Sequence, residues 1–219
     1  LVLGCGKDPE PLTSNSVVIG YVYFGENMSE HIVVDVVARG PYGKKSVKTD
    51  DQNHFRIPNL PNGTYEIEYT KEGYGKVLQY GIQLFGNDSI IADPAVLYSL
   101  PAKLIMPEFT SSHWHENTLI IATNHSAENS FWPVRLFFSR DQNVSYDNFE
   151  FTFATLANYV NEVLVYDWAL PFPSSSKVYV IGYVCNTVDY GYVDTYTGKR
   201  VYSTLSKDHH SNTISFQMQ

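Results

Sequence analysis

Cysteine, helical periodicity, long apolar runs and clustered positive charge are all scarce in this chain of 219 residues. Two cysteines, Cys5 and Cys185, supply neither a disulfide framework nor a zinc set. Nothing after Leu3 approaches the ~20 consecutive apolar residues of a membrane-spanning helix. Lysine and arginine number 15 against 23 acidic residues, giving a net charge of -8, and no basic cluster exceeds Lys44-Lys45. That balance argues against a nucleic-acid partner and against adsorption on anionic lipid headgroups. Gly-x-Gly-x-x-Gly, the Walker loop, His-Glu-x-x-His and Gly-x-Ser-x-Gly are all missing, and with them the sequence signs of dinucleotide, nucleotide, zinc-protease and serine-hydrolase chemistry.

Aromatic and β-branched residues are abundant instead. Tyr 17, Phe 12 and several valine-rich segments favour strands. Tyr65, Ile67 and Tyr69 alternate with Glu66, Glu68 and Thr70, the pattern of a half-buried strand. Ile32, Val34, Val36 and Ala38 line one face of another, and Phe55 and Ile57 point inward while His54 and Arg56 face water. Turn signals separate these runs at Gly40-Pro41-Tyr42-Gly43, Pro61-Asn62-Gly63 and Lys71-Glu72-Gly73. A break falls between Leu100-Pro101 and Met106-Pro107. Beyond it, further runs are expected at 118–124, 134–139, 149–154, 162–168, 177–185 and 214–218, with Phe149, Phe151 and Phe153 on one face. Pro133, Pro171 and Pro173 are read as protection for edge strands. The best helical candidate, Leu156 to Glu162, is too short to carry weight. The prediction is an all-β chain of two β-sandwich domains: a tether over 1–16, a first sandwich over 17–102, and a second over 103–219 with the strand count of an immunoglobulin or fibronectin-like sandwich.

The first sandwich carries a family likeness. Gly20-Tyr21-Val22, Val47-Lys48-Thr49-Asp50, Phe55-Arg56-Ile57, Leu60-Pro61-Asn62-Gly63-Thr64-Tyr65 and Gly73-Tyr74 follow one another in order. The segment resembles the carboxypeptidase regulatory-like domain, a transthyretin-like sandwich that mostly serves as a non-catalytic spacer or folding support. One position departs from the pattern. The family has glycine after the Thr-Asp turn, where this chain has Asn53-His54; asparagine tolerates left-handed backbone, so the turn is expected to persist.

The start of the chain, Leu1-Val2-Leu3-Gly4-Cys5 followed by the polar stretch from Gly6 to Ser16, resembles the tail of a bacterial lipoprotein signal peptide. The resemblance implies that Cys5 carries a lipid and that the following residues are a solvated tether, so that the protein is anchored to a membrane and does not span it. Taken with the first domain, the chain is similar to surface lipoproteins of Bacteroidetes, in the cell envelope at the outer membrane.

Candidate sites are few. Trp114, Trp132, Tyr190, Tyr192 and Tyr196 form an aromatic surplus, and the even spacing of the three tyrosines places them on one face of a strand. Aromatic rings near Asp and Asn suit a ligand with an apolar face and a hydroxyl rim, so glycan or peptide capture is the leading reading; the competing reading packs these rings into the core. Trp168 is the most core-like of the tryptophans. His113-Trp114-His115 sets two imidazoles on one strand face, with His125, His209 or His210 as a third ligand; the preferred reading is a polar loop entering a strand, with no metal and no cofactor. Asp50-Asp51-Gln52-Asn53 reads as a solvated turn, and Cys185 as a buried, inert thiol. The expected function is non-catalytic binding or scaffolding of an outer-membrane assembly. An adhesin or structural subunit is the alternative, and an envelope hydrolase the more distant one.

Overall fold

The computed structural model of the chain describes residues 15–25, 31–101, 106, 108–116, 118–124, 132–157, 162–166, 170–186, 189–194 and 197–219. All regular structure among the described residues is β. The chain divides into two compact units, Leu1–Leu97 with Tyr192–Val201, and Tyr98–Gly191 with Tyr202–Gln219.

The first unit contains β1 (Ser16–Phe24), β2 (Asp35–Gly40), β3 (Gly43–Lys48), β4 (His54–Leu60), β5 (Gly63–Thr70), β6 (Val77–Leu84), β7 (Ser89–Ile91) and β8 (Ala95–Leu97). β1 is the middle of one sheet. β4 pairs antiparallel along one of its edges, and β7 then β8 pair parallel along the other. The second sheet runs β3-β2-β5-β6, all antiparallel. The period-2 alternation read from the sequence decides what lies between them. Val18, Val22 and Phe24 from β1, Phe55 and Ile57 from β4, Val36 and Ala38 from β2, and Tyr65, Ile67 and Tyr69 from β5 form one buried core. Each fully buried Val or Ile there contributes about 1.5–3 kcal/mol.

The Thr49–His54 turn holds without the glycine. Asn53 adopts φ 64, and its side-chain Oδ1 accepts the Ile32 amide at 3.3 Å. Thr49 Oγ1 accepts the buried Val34 amide at 2.9 Å, and Asp50 Oδ1 accepts the amides of Gln52 and His54 at 3.0 and 2.8 Å.

The second unit contains β9 (Phe109–His115), β10 (Thr118–Thr123), β11 (Trp132–Ser139), β12 (Phe151–Ala157), β13 (Glu162–Tyr166) and β14 (Lys177–Val184). A short pair follows, β15 (Tyr192–Val193) with β16 (Arg200–Val201), and then β17 (Ile214–Gln217). The pair β15–β16 belongs to the first unit, where Tyr192 rests on the core; the sequence had put all of 103–219 in the second. The remaining seven strands form sheets β13-β10-β9 and β12-β11-β14-β17. With β9, β10, β11, β12, β13, β14 and β17 as strands A, B, C, C′, E, F and G, this is an immunoglobulin or fibronectin-like sandwich. Its core gathers Leu119, Ile121, Val134, Leu136, Phe138, Val178, Val180 and Phe216.

Three expectations change. Phe149 does not share a face with Phe151 and Phe153: β12 starts only at Phe151, and Phe149 packs across the sheet against Phe137, with ring centroids 4.9 Å apart. Pro133 is not on an edge strand, because β11 lies between β12 and β14; it sits at the strand's second residue, before pairing with β14 begins at Val134↔Val184. The weak helical candidate over 156–162 gives way at its start, where residues 156 and 157 end strand β12. Trp168 and His125 lie outside the described residues.

Candidate functional site

The outer face of the β4-β1-β7 sheet carries a groove among the described residues of the first unit. Inward residues of β1 alternate with Ile19, Tyr21 and Tyr23, and Tyr21 is 41% exposed. The ladder sets Ile19 between Arg56 on β4 and Ile91 on β7, and Tyr21 opposite His54. Ile91 is 69% exposed, an unusual setting for a large aliphatic side chain. Together with Lys48 these residues line a groove of about 460 Å³, a volume within the range of roughly 300–1,000 Å³ for small-ligand sites. The ring of Tyr21 meets the His54 imidazole edge-on, with centroids 4.4 Å apart at 75°. Asp50 is also part of the lining. The His54 amide, then the Gln52 amide and the His54 ring, hold its carboxyl below the usual carboxylate range against a smaller opposing effect of desolvation. Lys48 Nζ lies 3.3 Å from Asp35 Oδ1, both side chains being well exposed. The groove thus combines an apolar floor, one exposed aromatic ring braced by His54, and Lys48 and Arg56 among its lining.

The residues singled out in the sequence fall in both units. Tyr190 is 74% exposed and outside any strand. Gly191 follows at φ 69, a left-handed conformation that ends extended backbone there. β15 then holds only two residues, and Tyr192 packs half-buried on the first core while Tyr190 belongs to the second unit. Tyr190 and Tyr192 therefore do not share a strand face. Trp114 is rooted in the second core: its Nε1 donates to the Gln217 carbonyl at 2.7 Å, and its ring meets Phe216 at 6.0 Å and 72°. Trp132 is the first residue of β11, opposite Ala157, and its side chain lies outside the described residues, as do Tyr196 and Cys5. His113 and His115 are both exposed on β9. Among the described residues no group of three or more His, Cys, Asp or Glu side chains converges as a metal site would require.

The second unit has another packed face that is not among the sequence expectations. Phe137, Ile181 and Tyr183 stand on the side of their sheet away from the main core and are covered by Val144, Tyr146, Phe149, Tyr202 and Leu205. Beside them Arg135 is buried, with Nη2 donating to the Asp189 carbonyl at 2.8 Å and the guanidinium 3.7 Å over the Tyr202 ring. The buried Asp189 carboxylate accepts the Thr204 amide and hydroxyl, both at 2.8 Å, and the Gly191 amide at 2.8 Å. Burial pushes the neighbouring Cys185 thiol up to about 12. Both charges of this network, Arg135 and Asp189, are buried, and their bonds hold loops to the sheet. The absence of polar alternation in Lys177–Val184 was the available clue, since a strand buried on both faces reads as a continuous apolar run.

No family model matches the chain. A curated relative, the TonB-dependent transporter Oar of Myxococcus xanthus, is 35% identical over 78 residues, which is 35% of this chain and 7% of the transporter. The chain therefore spans only a small fraction of that relative's length. Among solved structures, a candidate carbohydrate-binding protein from Bacteroides uniformis is 9% identical, covering 94% of this chain and 100% of its own, with a TM-score of 0.32. A DUF3823 family protein from Bacteroides ovatus is 13% identical over 94% of this chain and 100% of its own, TM-score 0.31. The major pilin SpaD of Corynebacterium diphtheriae is 11% identical over 93% of this chain and 65% of its own, also at 0.31. At these scores the solved structures establish no shared fold, and the two sandwiches rest on the strand pairings described above.

Proposed function

We propose that this chain is a non-catalytic binding protein of the bacterial cell envelope that captures a glycan on the outer face of its first sandwich. The observation that carries the reading is the groove over Ile19, Tyr21 and Ile91 with its polar rim of His54, Arg56 and Lys48. A pyranose ring offers an apolar C–H face for Tyr21 and the two isoleucines, and hydroxyls for the rim. The 78-residue likeness to a TonB-dependent transporter agrees with a place at the outer membrane. A lipid on Cys5 would hold the protein there, with the first sandwich of the carboxypeptidase regulatory-like kind nearest the anchor. The proposed partners are the membrane, through that lipid, and an envelope polysaccharide. A glycan array probed with the full chain and with Tyr21→Ala tests the binding claim. Signals on a defined set of glycans that fade in the variant support it; a blank array, or signals indifferent to Tyr21, contradict it.

A second reading, an adhesin or scaffold subunit, is favoured by one feature. Among the described residues β12 pairs on one side only, with β11, and its sequence Phe151–Ala157 carries no charge to guard the edge. Such an edge accepts a partner strand. Pull-down from native membranes should then recover one partner at fixed stoichiometry, lost with Thr155→Lys; a solitary protein argues against it.

A further inference from the structure

We propose that the groove on the first sandwich selects a glycan whose sugars bear carboxylates. This rests on the reading of that groove as a glycan site and adds the chemical class. The chain as a whole is acidic, with a net charge of -8, yet the groove sets Lys48, Arg56 and the His54 imidazole against a single carboxylate, Asp50. Asp50 is already engaged: one oxygen accepts two backbone amides and the other lies 3.9 Å from His54 Nδ1. Arg56 is exposed and, among the described residues, has neither an ion pair nor a hydrogen-bond partner. Among the described residues Lys48 is tied to Asp35, through a pair whose two side chains are 68% and 56% exposed. Pairs of that kind are weak and readily exchanged for a better acceptor. A guanidinium with no partner at the rim of a ligand-sized groove is matched by a carboxylate, which it can grip through two parallel hydrogen bonds.

The ladder supplies the geometry. Arg56 lies directly across from Ile19, and His54 is two residues along the same strand face, opposite Tyr21. That spacing is about 6.5–7 Å, a little more than the width of one sugar ring. A ring lying on Ile19 and Tyr21 would direct a carboxylate in its own plane toward the Arg56 side. An acidic peptide fits less well. Both edges of β1 are occupied, by β4 on one side and by β7 and β8 on the other, so the floor of the groove offers no main-chain groups for a peptide backbone to pair with. Recognition by side chains alone suits a ligand that carries its own hydroxyls.

Calorimetric titration of the full chain with tetragalacturonate, its methyl-esterified form, a neutral galactose tetramer and a short polyglutamate peptide separates these possibilities. The acid form should bind, esterification should cost about tenfold in affinity or more, and Arg56→Gln should cost the acid form a similar factor while leaving the thermal unfolding midpoint in place. Raising NaCl from about 50 to about 500 mM should weaken the acid form alone. Equal binding of neutral, esterified and acid forms, lowered by Tyr21→Ala but not by Arg56→Gln, would overturn the carboxylate selectivity while leaving glycan capture standing. No binding of any saccharide here, joined to a blank array, would remove the glycan reading itself. Arg56-dependent binding of polyglutamate matching or exceeding that of the tetragalacturonate would overturn the proposal in favour of a peptide.

Discussion

Replacing Asn53 with alanine removes a side chain that does two jobs at the turn leading into β4. Its backbone sits at φ 64, where an alanine is less tolerated than an asparagine by about 1 kcal/mol. Its Oδ1 also accepts the Ile32 amide, a part-buried bond of 3.3 Å. Leaving that donor unpaired costs about 1–3 kcal/mol, and the length and partial exposure of the bond place it near the lower end. The two effects sum to about 2 kcal/mol. Asn53→Gly separates them. Glycine loses the hydrogen bond but accepts left-handed backbone freely, and it costs about 0.5 kcal/mol through the greater freedom of the unfolded chain; its net loss should be about 1.5 kcal/mol. Hydrogen-exchange mass spectrometry in rising urea, followed on peptides from β4 and β5, reads the stability of the first sandwich alone. The expected order is wild type, then glycine, then alanine, with about 0.5 kcal/mol between the two variants. An alanine variant within about 0.5 kcal/mol of wild type, or a glycine variant less stable than alanine, would refute this account of the turn.

Three further outcomes concern the second unit. A Cβ on Gly182 would lie 2.6 Å from Met106 Cε and 2.8 Å from Phe109 Cζ, so Gly182→Ala should destabilise by about 1–3 kcal/mol in denaturant unfolding. Asp189→Ala strips the partners from the buried Thr204 amide and hydroxyl and should cost about 2–5 kcal/mol by the same assay, whereas Tyr190→Ala, at an exposed position, should change little. Cys185 should resist thiol reagents at pH 8 until urea is added. Its folded pKa stands above the ordinary thiol value, so its contribution to stability is full below about pH 9 and declines as pH rises toward about 12; pH-dependent unfolding of Cys185→Ala should lack that part of the alkaline decline.

The strands were legible because their apolar period is 2 and their turns carry glycine, proline or asparagine. Tyr65, Ile67 and Tyr69 declared a buried face, and all three are in the core. Phe149 misled because alternation continues through a turn: the Glu150 amide bonds the Phe138 carbonyl, but the regular ladder starts one residue later. The tyrosine series misled for a related reason, since even spacing has meaning only on continuous extended backbone and Gly191 interrupts it. The groove was half legible. The alternation put His54 and Arg56 on the outer face, but nothing local could say that β7, more than sixty residues further along, would bring Ile91 beside Ile19. Parallel pairing between distant segments leaves no short-range signature.

Whether the outer face of the first sandwich holds a sugar is decided by an NMR titration of the isotope-labelled chain with the strongest binder from the glycan array. Saturable shifts confined to Ile19, Tyr21, His54, Arg56 and Ile91, with the glycan recovered intact, are the predicted result. Shifts centred on Trp114 or Tyr190 while those five stay still, or cleavage of the glycan, would contradict it.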